Sequence, residues 1–103
     1  MAHRLAMEPS PIRLTEAAKK HIEDTAFAYN VNRIALRVRL VGKDVGKGFD
    51  LALDEFPLPD DQVFVEQGIR LHIAPDVVPH VRGLVVDYHG VGRQAGFVFR
   101  REG

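Results

Sequence analysis

Hydrophobic and polar residues alternate along much of the chain, and their spacing predicts a β-rich protein. In residues 34–41, apolar side chains occupy every second position. Arg33, Arg37 and Arg39 fall on the opposite face. Because successive side chains of a strand point to opposite faces, this pattern predicts a strand with one buried face and one polar face. Residues 49–53 predict a second strand of the same kind.

A segment near the N-terminus has the spacing of a helix. Thr15 offers a side-chain oxygen as an N-cap, and Glu16 places negative charge at the positive end of the helix dipole. We therefore expect the helix to begin at Glu16. Its buried face is predicted from four apolar residues at helical spacing, which are Ala18, Ile22, Ala26 and Tyr29.

Glycine and proline mark the turns in the second half of the chain. Gln67 and Gly68 separate two alternating segments, residues 63–65 and 69–73, which predicts a β-hairpin. Pro79 near its start and Gly83 at its end predict a short helical turn. The other predicted strands are residues 12–14, 84–88 and 97–99.

The segment between the second strand and the hairpin, residues 54–61, has the sequence DEFPLPDD. Proline disrupts both helices and sheet ladders, and acidic side chains favour water. We therefore expect an exposed acidic loop here.

Together these elements predict a mainly β protein of the α+β class, in which small mixed sheets pack as a sandwich or flattened barrel with one N-terminal helix. Residues 1–11 predict a flexible tail, since they contain two prolines and few bulky apolar side chains. Residues 12–103 predict a single domain. The predicted core consists of Leu14, Ile22, Ile34, Leu36, Val38, Leu40, Phe49, Leu51, Leu53, Phe64, Ile69, Leu71, Ile73, Val86, Phe97 and Phe99.

Charge and hydropathy argue against nucleic-acid and membrane partners. The 103 residues include 14 basic and 14 acidic side chains, for a formal net charge of zero. A neutral chain has no overall field to attract nucleic acid or anionic lipid. No apolar run reaches the roughly 18 residues of a membrane-spanning helix, and residues 1–11 lack the apolar core of a signal peptide. We therefore expect a cytoplasmic protein.

The chain contains no cysteine. This excludes disulfides, thiolate nucleophiles and the soft sulfur ligands that hold zinc and iron–sulfur clusters. Ser10, the single serine, lies in the predicted tail and leaves no nucleophilic triad. We expect no catalytic residue, no cofactor and no bound metal.

Two groups of residues resemble the HesB-like, A-type iron–sulfur carrier family. The first comprises Phe49, Asp54, Pro57, Pro59, Asp61, Val63, Phe64 and Gly68, and the second comprises Gly83, Asp87, Tyr88, Gly96, Phe97 and Phe99. The opening Leu14-Thr15-x-x-Ala18 also resembles the start of that family. The resemblance extends from residue 12 to residue 99. It implies the fold of the family, a homo-oligomer and protein partners in iron–sulfur assembly.

The metal ligands of that family do not occur in this chain. The family holds its metal with a cysteine in the glycine-rich loop after the long strand and with a Cys-Gly-Cys pair in a C-terminal arm. Counting back from Phe49, Asp44 occupies the position of the first cysteine, and the chain ends at Gly103 before such an arm. Asp44 is either a loop-forming residue or an altered ligand suited to a hard metal.

Three functions are compatible with these observations. The first is a binding or docking module in or near iron–sulfur biogenesis that does not itself ligate a cluster. The second is a fold recruited to a small-ligand or metal-binding protein or an enzyme that uses Asp44, Asp87 and His89. The third is a structural or regulatory subunit that pairs with a cysteine-bearing relative.

Basic and imidazole side chains add two predictions about surfaces. A candidate partner surface is the basic stripe formed by Arg33, Arg37, Arg39, Lys43 and Lys47. His72 is expected on the outward face of its strand beside Arg70, and the spacing of the histidines matches no standard metal motif.

Overall fold

The computed structural model describes residues 9–30, 34–41, 48–90 and 96–101. Within these residues it contains β1 (Ile12–Leu14), α1 (Glu16–Ala28), β2 (Ala35–Leu40), β3 (Phe49–Leu53), β4 (Gln62–Glu66), β5 (Ile69–Ile73), α2 (Val78–Val81), β6 (Leu84–His89) and β7 (Gly96–Arg101). The element order matches the one that the hydrophobic pattern predicts.

The strands form two small mixed sheets. The first sheet has the order β3-β2-β5-β4, in which β2 and β5 are parallel and the two outer pairs are antiparallel. In the second sheet, with the order β1-β6-β7, β1 is parallel to β6 and β7 is antiparallel to it. The predicted α+β class, with small mixed sheets and one main helix, is therefore confirmed.

Helix α1 begins as predicted, with the Thr15 hydroxyl accepting a hydrogen bond from the amide of Ala18 at 3.2 Å. Ala18, Ile22 and Ala26 are buried, but Tyr29 is 71% exposed. The prediction for Tyr29 was wrong because the helix ends at Ala28, one residue before it. Asn30 then takes a left-handed conformation, with φ of 57°, and turns the chain.

The core lies between the inner faces of the two sheets and the buried stripe of α1. Leu36 and Val38 from β2 pack there with Leu71 and Ile73 from β5. Most predicted core residues are buried or packed against this core, whereas Leu53 is 40% exposed. Leu53 lies at the end of β3, an edge strand that no further strand covers in the described part of the sheet.

The β4–β5 hairpin links the two sheets. Its turn residues Gln67 and Gly68 have φ of 51° and 83°, the paired left-handed geometry of a type I′ turn. The Gln67 side-chain amide donates to the Leu14 carbonyl at 2.6 Å, and the Leu14 amide donates to the Glu66 carboxylate at 3.0 Å. The hairpin thereby satisfies the amide and the carbonyl of Leu14 on β1.

Among residues 9–30, 34–41, 48–90 and 96–101, no helix is long and apolar enough to cross a membrane. The predicted tail, residues 1–11, lies for the most part outside the described residues. The assignment of residues 12–103 to a single domain stays a prediction.

Candidate functional site

The outer face of the first sheet carries a cluster of ionisable side chains. Arg37 on β2 and His72 on β5 are partners in the parallel register. The segment between β3 and β4 crosses this face and brings Asp54 and Asp61 onto them. We call these four residues the arginine cluster.

The Arg37 guanidinium binds both aspartates of the arginine cluster. Its Nε donates to Asp54 Oδ2 at 3.1 Å, and its two terminal nitrogens donate to the two oxygens of Asp61. His72 Nδ1 lies 2.9 Å from the same Asp54 oxygen. Two-pronged binding of a carboxylate by arginine is stronger and more directional than a single ion pair, so this cluster fixes the loop to the sheet.

Asp61 also closes the loop upon itself. Its Oδ2 accepts from the Leu58 amide at 2.6 Å, while its own amide donates to the Leu58 carbonyl at 3.0 Å. The side chain of Asp61 is only 2% exposed, and that of Arg37 is 18% exposed. Burial at this level is tolerated because each charge has partners of opposite sign and each oxygen has a donor.

The surroundings of the arginine cluster keep its carboxylates ionised. Burial favours the neutral form of Asp54, but the hydrogen bond from His72 and the charge of Arg37 outweigh it and hold the pKa of Asp54 below its ordinary value. Burial of Asp61 is likewise outweighed by the Arg37 hydrogen bond and the Leu58 amide, and its pKa is lowered. The hydrogen bond to Asp61 raises the pKa of Arg37.

Three sequence-based expectations change at this cluster. His72 does lie on the outward strand face, but it is 1% exposed because the loop covers it. The loop is exposed at residues 55, 56 and 58–60, whereas its last aspartate, Asp61, is buried. Arg37 offers little surface to a partner, since it is mostly buried and bound by two carboxylates. Alternation identifies the outward face of a strand but not what lies over it.

A second group of polar side chains lies at the junction of α1 and β6. Asp87 Oδ1 accepts from the Thr15 hydroxyl at 2.6 Å and from the Tyr88 amide at 2.8 Å. Its other oxygen lies 3.4 Å from His89 Nε2 and from the Arg100 guanidinium. The hydrogen bond from Thr15 is the main reason that the pKa of Asp87 is lowered.

The second function considered above, a ligand-binding protein or enzyme, required three residues to come together. Asp87 and His89 do lie close to each other, while Asp44 lies outside the described residues. The Asp87 carboxylate accepts hydrogen bonds from the N-cap residue Thr15 and from a backbone amide, so its role here is structural. No group of three or more histidine, aspartate or glutamate side chains within the described ranges has the arrangement of a metal site.

Replacement of Thr15 tests the junction between α1 and β6. Thr15→Ala removes both the helix N-cap and the donor to Asp87, and we expect it to lower the free energy of unfolding by about 1 kcal/mol. Thr15→Ser keeps the hydroxyl and should lose much less. Urea denaturation followed by circular dichroism measures both variants, and equal losses would contradict the role given to the hydroxyl.

Most of the predicted basic stripe is not described. Arg33, Lys43 and Lys47 lie outside the described residues. The side chain of Arg39 is 54% exposed and forms an ion pair with Asp50 across the β2–β3 ladder. Arg39 is therefore the member of the stripe that the described structure places at the surface.

A small apolar pocket opens between α1 and the edge strands β3 and β7. Its volume is about 120 Å³, and its walls include Ile22, Leu51 and Phe97. His21 at its edge stacks on the ring of Tyr88 with a centroid separation of 3.7 Å. The volume suits a single small apolar group, since a cavity of about 150 Å³ accommodates benzene.

The chain is similar to several known proteins in sequence and in fold. No family model matches the chain. A protein from Aquifex aeolicus is 30% identical over 93 residues, which cover 85% of this chain and 77% of that protein. A solution NMR structure of an Aquifex aeolicus protein has a TM-score of 0.77 and 26% identity, covering 96% of this chain and 99% of the other.

Two further similar structures carry a functional description. Escherichia coli SufA, described as involved in the biosynthesis of iron–sulfur clusters, has a TM-score of 0.72 and 26% identity over 94% of this chain and 89% of SufA. IscA, whose structure contains a [2Fe-2S] cluster, has a TM-score of 0.66 and 30% identity over 87% of this chain and 81% of IscA.

Proposed function

Since the chain belongs to the HesB-like, A-type iron–sulfur carrier family, as a divergent member without cysteine, we propose that it serves iron–sulfur biogenesis as a binding or docking module that does not ligate a cluster itself. The observation that carries this proposal is the absence of every cysteine thiolate from a chain that superposes on most of SufA and IscA. The proposal includes a cytoplasmic location and a non-enzymatic role.

The side chains present do not fit an iron–sulfur cluster. Such clusters are held by cysteine thiolates, and in one class by two histidines together with cysteines. This chain supplies no thiolate, and the described histidines are spread over separate elements: His21 on α1, His72 on β5, His80 on α2 and His89 on β6. Carboxylate and imidazole groups are harder donors that suit other metals.

Anaerobic reconstitution tests the absence of cluster ligation. The purified protein is incubated with ferrous iron, sulfide and a thiol reductant, desalted, and examined by visible absorption beside SufA treated identically. We expect SufA to gain the absorption of thiolate-bound iron and this protein to gain none, with iron and sulfide well below one cluster per chain. A stable coloured species that survives desalting would refute the proposal.

The proposed partner is a protein of iron–sulfur assembly, with a cysteine-bearing A-type relative as the first one to test. The proposed contact surface is the exposed Arg39 together with Arg33, Lys43 and Lys47, which are near it in the sequence. Basic residues at an interface steer association and set its salt dependence more than its final affinity. The same fold in two chains also suits a subunit role, in which this chain contributes surface and its relative contributes the thiolates.

Titration of this protein into SufA loaded with cluster tests the docking role directly. We expect saturable binding that weakens with salt and that Arg39→Ala weakens severalfold. Arg100→Ala removes an exposed arginine from the other sheet and serves as the matched control. Calorimetry measures the affinities, and binding that is absent or insensitive to Arg39 would contradict the proposed surface.

A further inference from the structure

Two surfaces of opposite charge lie on different sheets, and we propose that they dock to each other between copies of this chain. The first is the acidic loop tip, residues 55–60. The second is the arginine recess, a hollow at the start of β1 and β6 that contains Arg82. This contact does not rest on the docking role proposed above, and it is tested with the protein alone.

The acidic loop tip exposes two large apolar side chains. Phe56 is 76% exposed and Leu58 is 58% exposed, and Pro57 stands between them. Exposing an aromatic and an aliphatic side chain to water side by side is unfavourable, and such apolar patches mark interaction sites. We therefore expect the acidic loop tip to bind another protein surface.

The arginine cluster holds this tip in a fixed shape. Asp54 at one end of the loop and Asp61 at the other both bind Arg37, and Asp61 also bonds the amide and carbonyl of Leu58. A loop that is already ordered loses little conformational entropy when it binds. Preorganisation thus favours docking of the tip as it stands.

The tip also carries negative charge that is not neutralised nearby. Glu55 and Asp60 are exposed at either end of it. No cation lies within ion-pair distance of either carboxylate among the residues that the structure describes. The surface complementary to this tip is an apolar hollow that also contains positive charge.

The arginine recess matches that description. It has a volume of about 310 Å³, and its lining includes the buried side chains of Leu84 and Val85 and the exposed Arg82. Arg101 donates to the carbonyls of His80 and Arg82 at 2.8 and 2.6 Å, which fixes the segment that presents Arg82. An apolar cavity of about 150 Å³ accommodates benzene, so the recess has room for the Phe56 ring with space beside it.

The contact joins two different parts of the chain. The loop tip belongs to the first sheet and the recess to the second, so the tip of one copy lies in the recess of another. Two copies that dock reciprocally close into a dimer, and copies that dock in one direction extend into longer assemblies. A six-residue tip buries less area than a standard stable interface. We therefore expect weak association, with a dissociation constant in the micromolar range or above.

Sedimentation velocity over a range of protein concentrations tests this contact. The native chain is expected to associate as its concentration rises. Phe56→Ala/Leu58→Ala, which disables the tip, and Arg82→Glu, which disables the recess, should each weaken association at least tenfold. All three altered side chains are exposed, and circular dichroism verifies that the variants fold. The matched controls Phe27→Ala and Glu23→Lys alter exposed side chains of α1 and should associate like the native chain.

A mixing experiment tests whether the tip of one copy binds the recess of another. In an equimolar mixture of the two disabled variants, the intact tip of the Arg82→Glu chain meets the intact recess of the other chain. The mixture should associate one-to-one through a single tip–recess contact, more strongly than either variant by itself. A native chain that stays monomeric throughout, variants that associate normally, or a mixture that forms no dimer would each overturn the proposal.

Discussion

Arg37→Ala is expected to lower the free energy of unfolding by about 3 kcal/mol, the largest loss that we anticipate from a single polar side chain in this protein. The substitution leaves the carboxylate of Asp61, whose side chain is 2% exposed, without its cation, and removes a donor from Asp54. A buried charge without a partner costs much more than an exposed one. For a protein of this size, the melting temperature should fall by more than about 10 °C.

Arg39→Ala is the matched control, because Arg39 lies two residues away on the same strand face. Its ion pair with Asp50 is about half exposed, and exposed pairs contribute at most about 1 kcal/mol. Thermal and urea denaturation compare the two variants. Adding Asp61→Asn to Arg37→Ala should recover part of the loss, since the double variant no longer buries an unpaired charge. Equal destabilisation by Arg37→Ala and Arg39→Ala would show that burial of the cluster has no energetic consequence.

Acidification is expected to remove most of the stability that the same cluster provides. The pKa values of Asp54 and Asp61 are lowered in the folded protein, so in acid the unfolded chain binds protons that the folded chain does not. The stabilisation is therefore complete above roughly pH 5 and is lost progressively below roughly pH 4, as the pH falls toward the folded-state pKa values.

Urea denaturation between neutral and acidic pH measures this loss. In the Asp54→Asn/Asp61→Asn variant the free energy of unfolding should be lower at neutral pH and should depend less on pH in the acidic range. A residual dependence is expected from Asp87, whose pKa is also lowered. If the native chain and the double variant lost stability in parallel on acidification, the two carboxylates would not be responsible.

The sequence predicts the framework because each of its elements has a strong local signal. Strict alternation identifies β2, the Thr15 cap identifies the start of α1, and Gln67-Gly68 identifies the hairpin turn. These signals come from residues within a few positions of one another, where spacing along the chain corresponds directly to arrangement in space.

The arginine cluster has no such local signal. Arg37 and His72 meet because β2 and β5 are parallel neighbours, and the parallel pairing of strands distant in sequence cannot be read from either strand alone. The two aspartates belong to a proline-containing loop whose composition predicts exposure to solvent. A usable clue is that aspartates stand at both ends of this loop, Asp54 and Asp61, with the prolines between them.

The strands of the first sheet lie in sequence between β1 and β6 of the second sheet, and this order affects how the chain folds during synthesis. Strand β1 is synthesised first, but its parallel neighbour β6 begins 72 residues later, with Leu84 opposite Ile12. Between them the chain forms the whole of the first sheet. On the ribosome β1 therefore has no strand to pair with in its own sheet until β6 has been synthesised. Folding should be slow for a chain of this length, because bringing distant strands together costs conformational entropy before their contacts form.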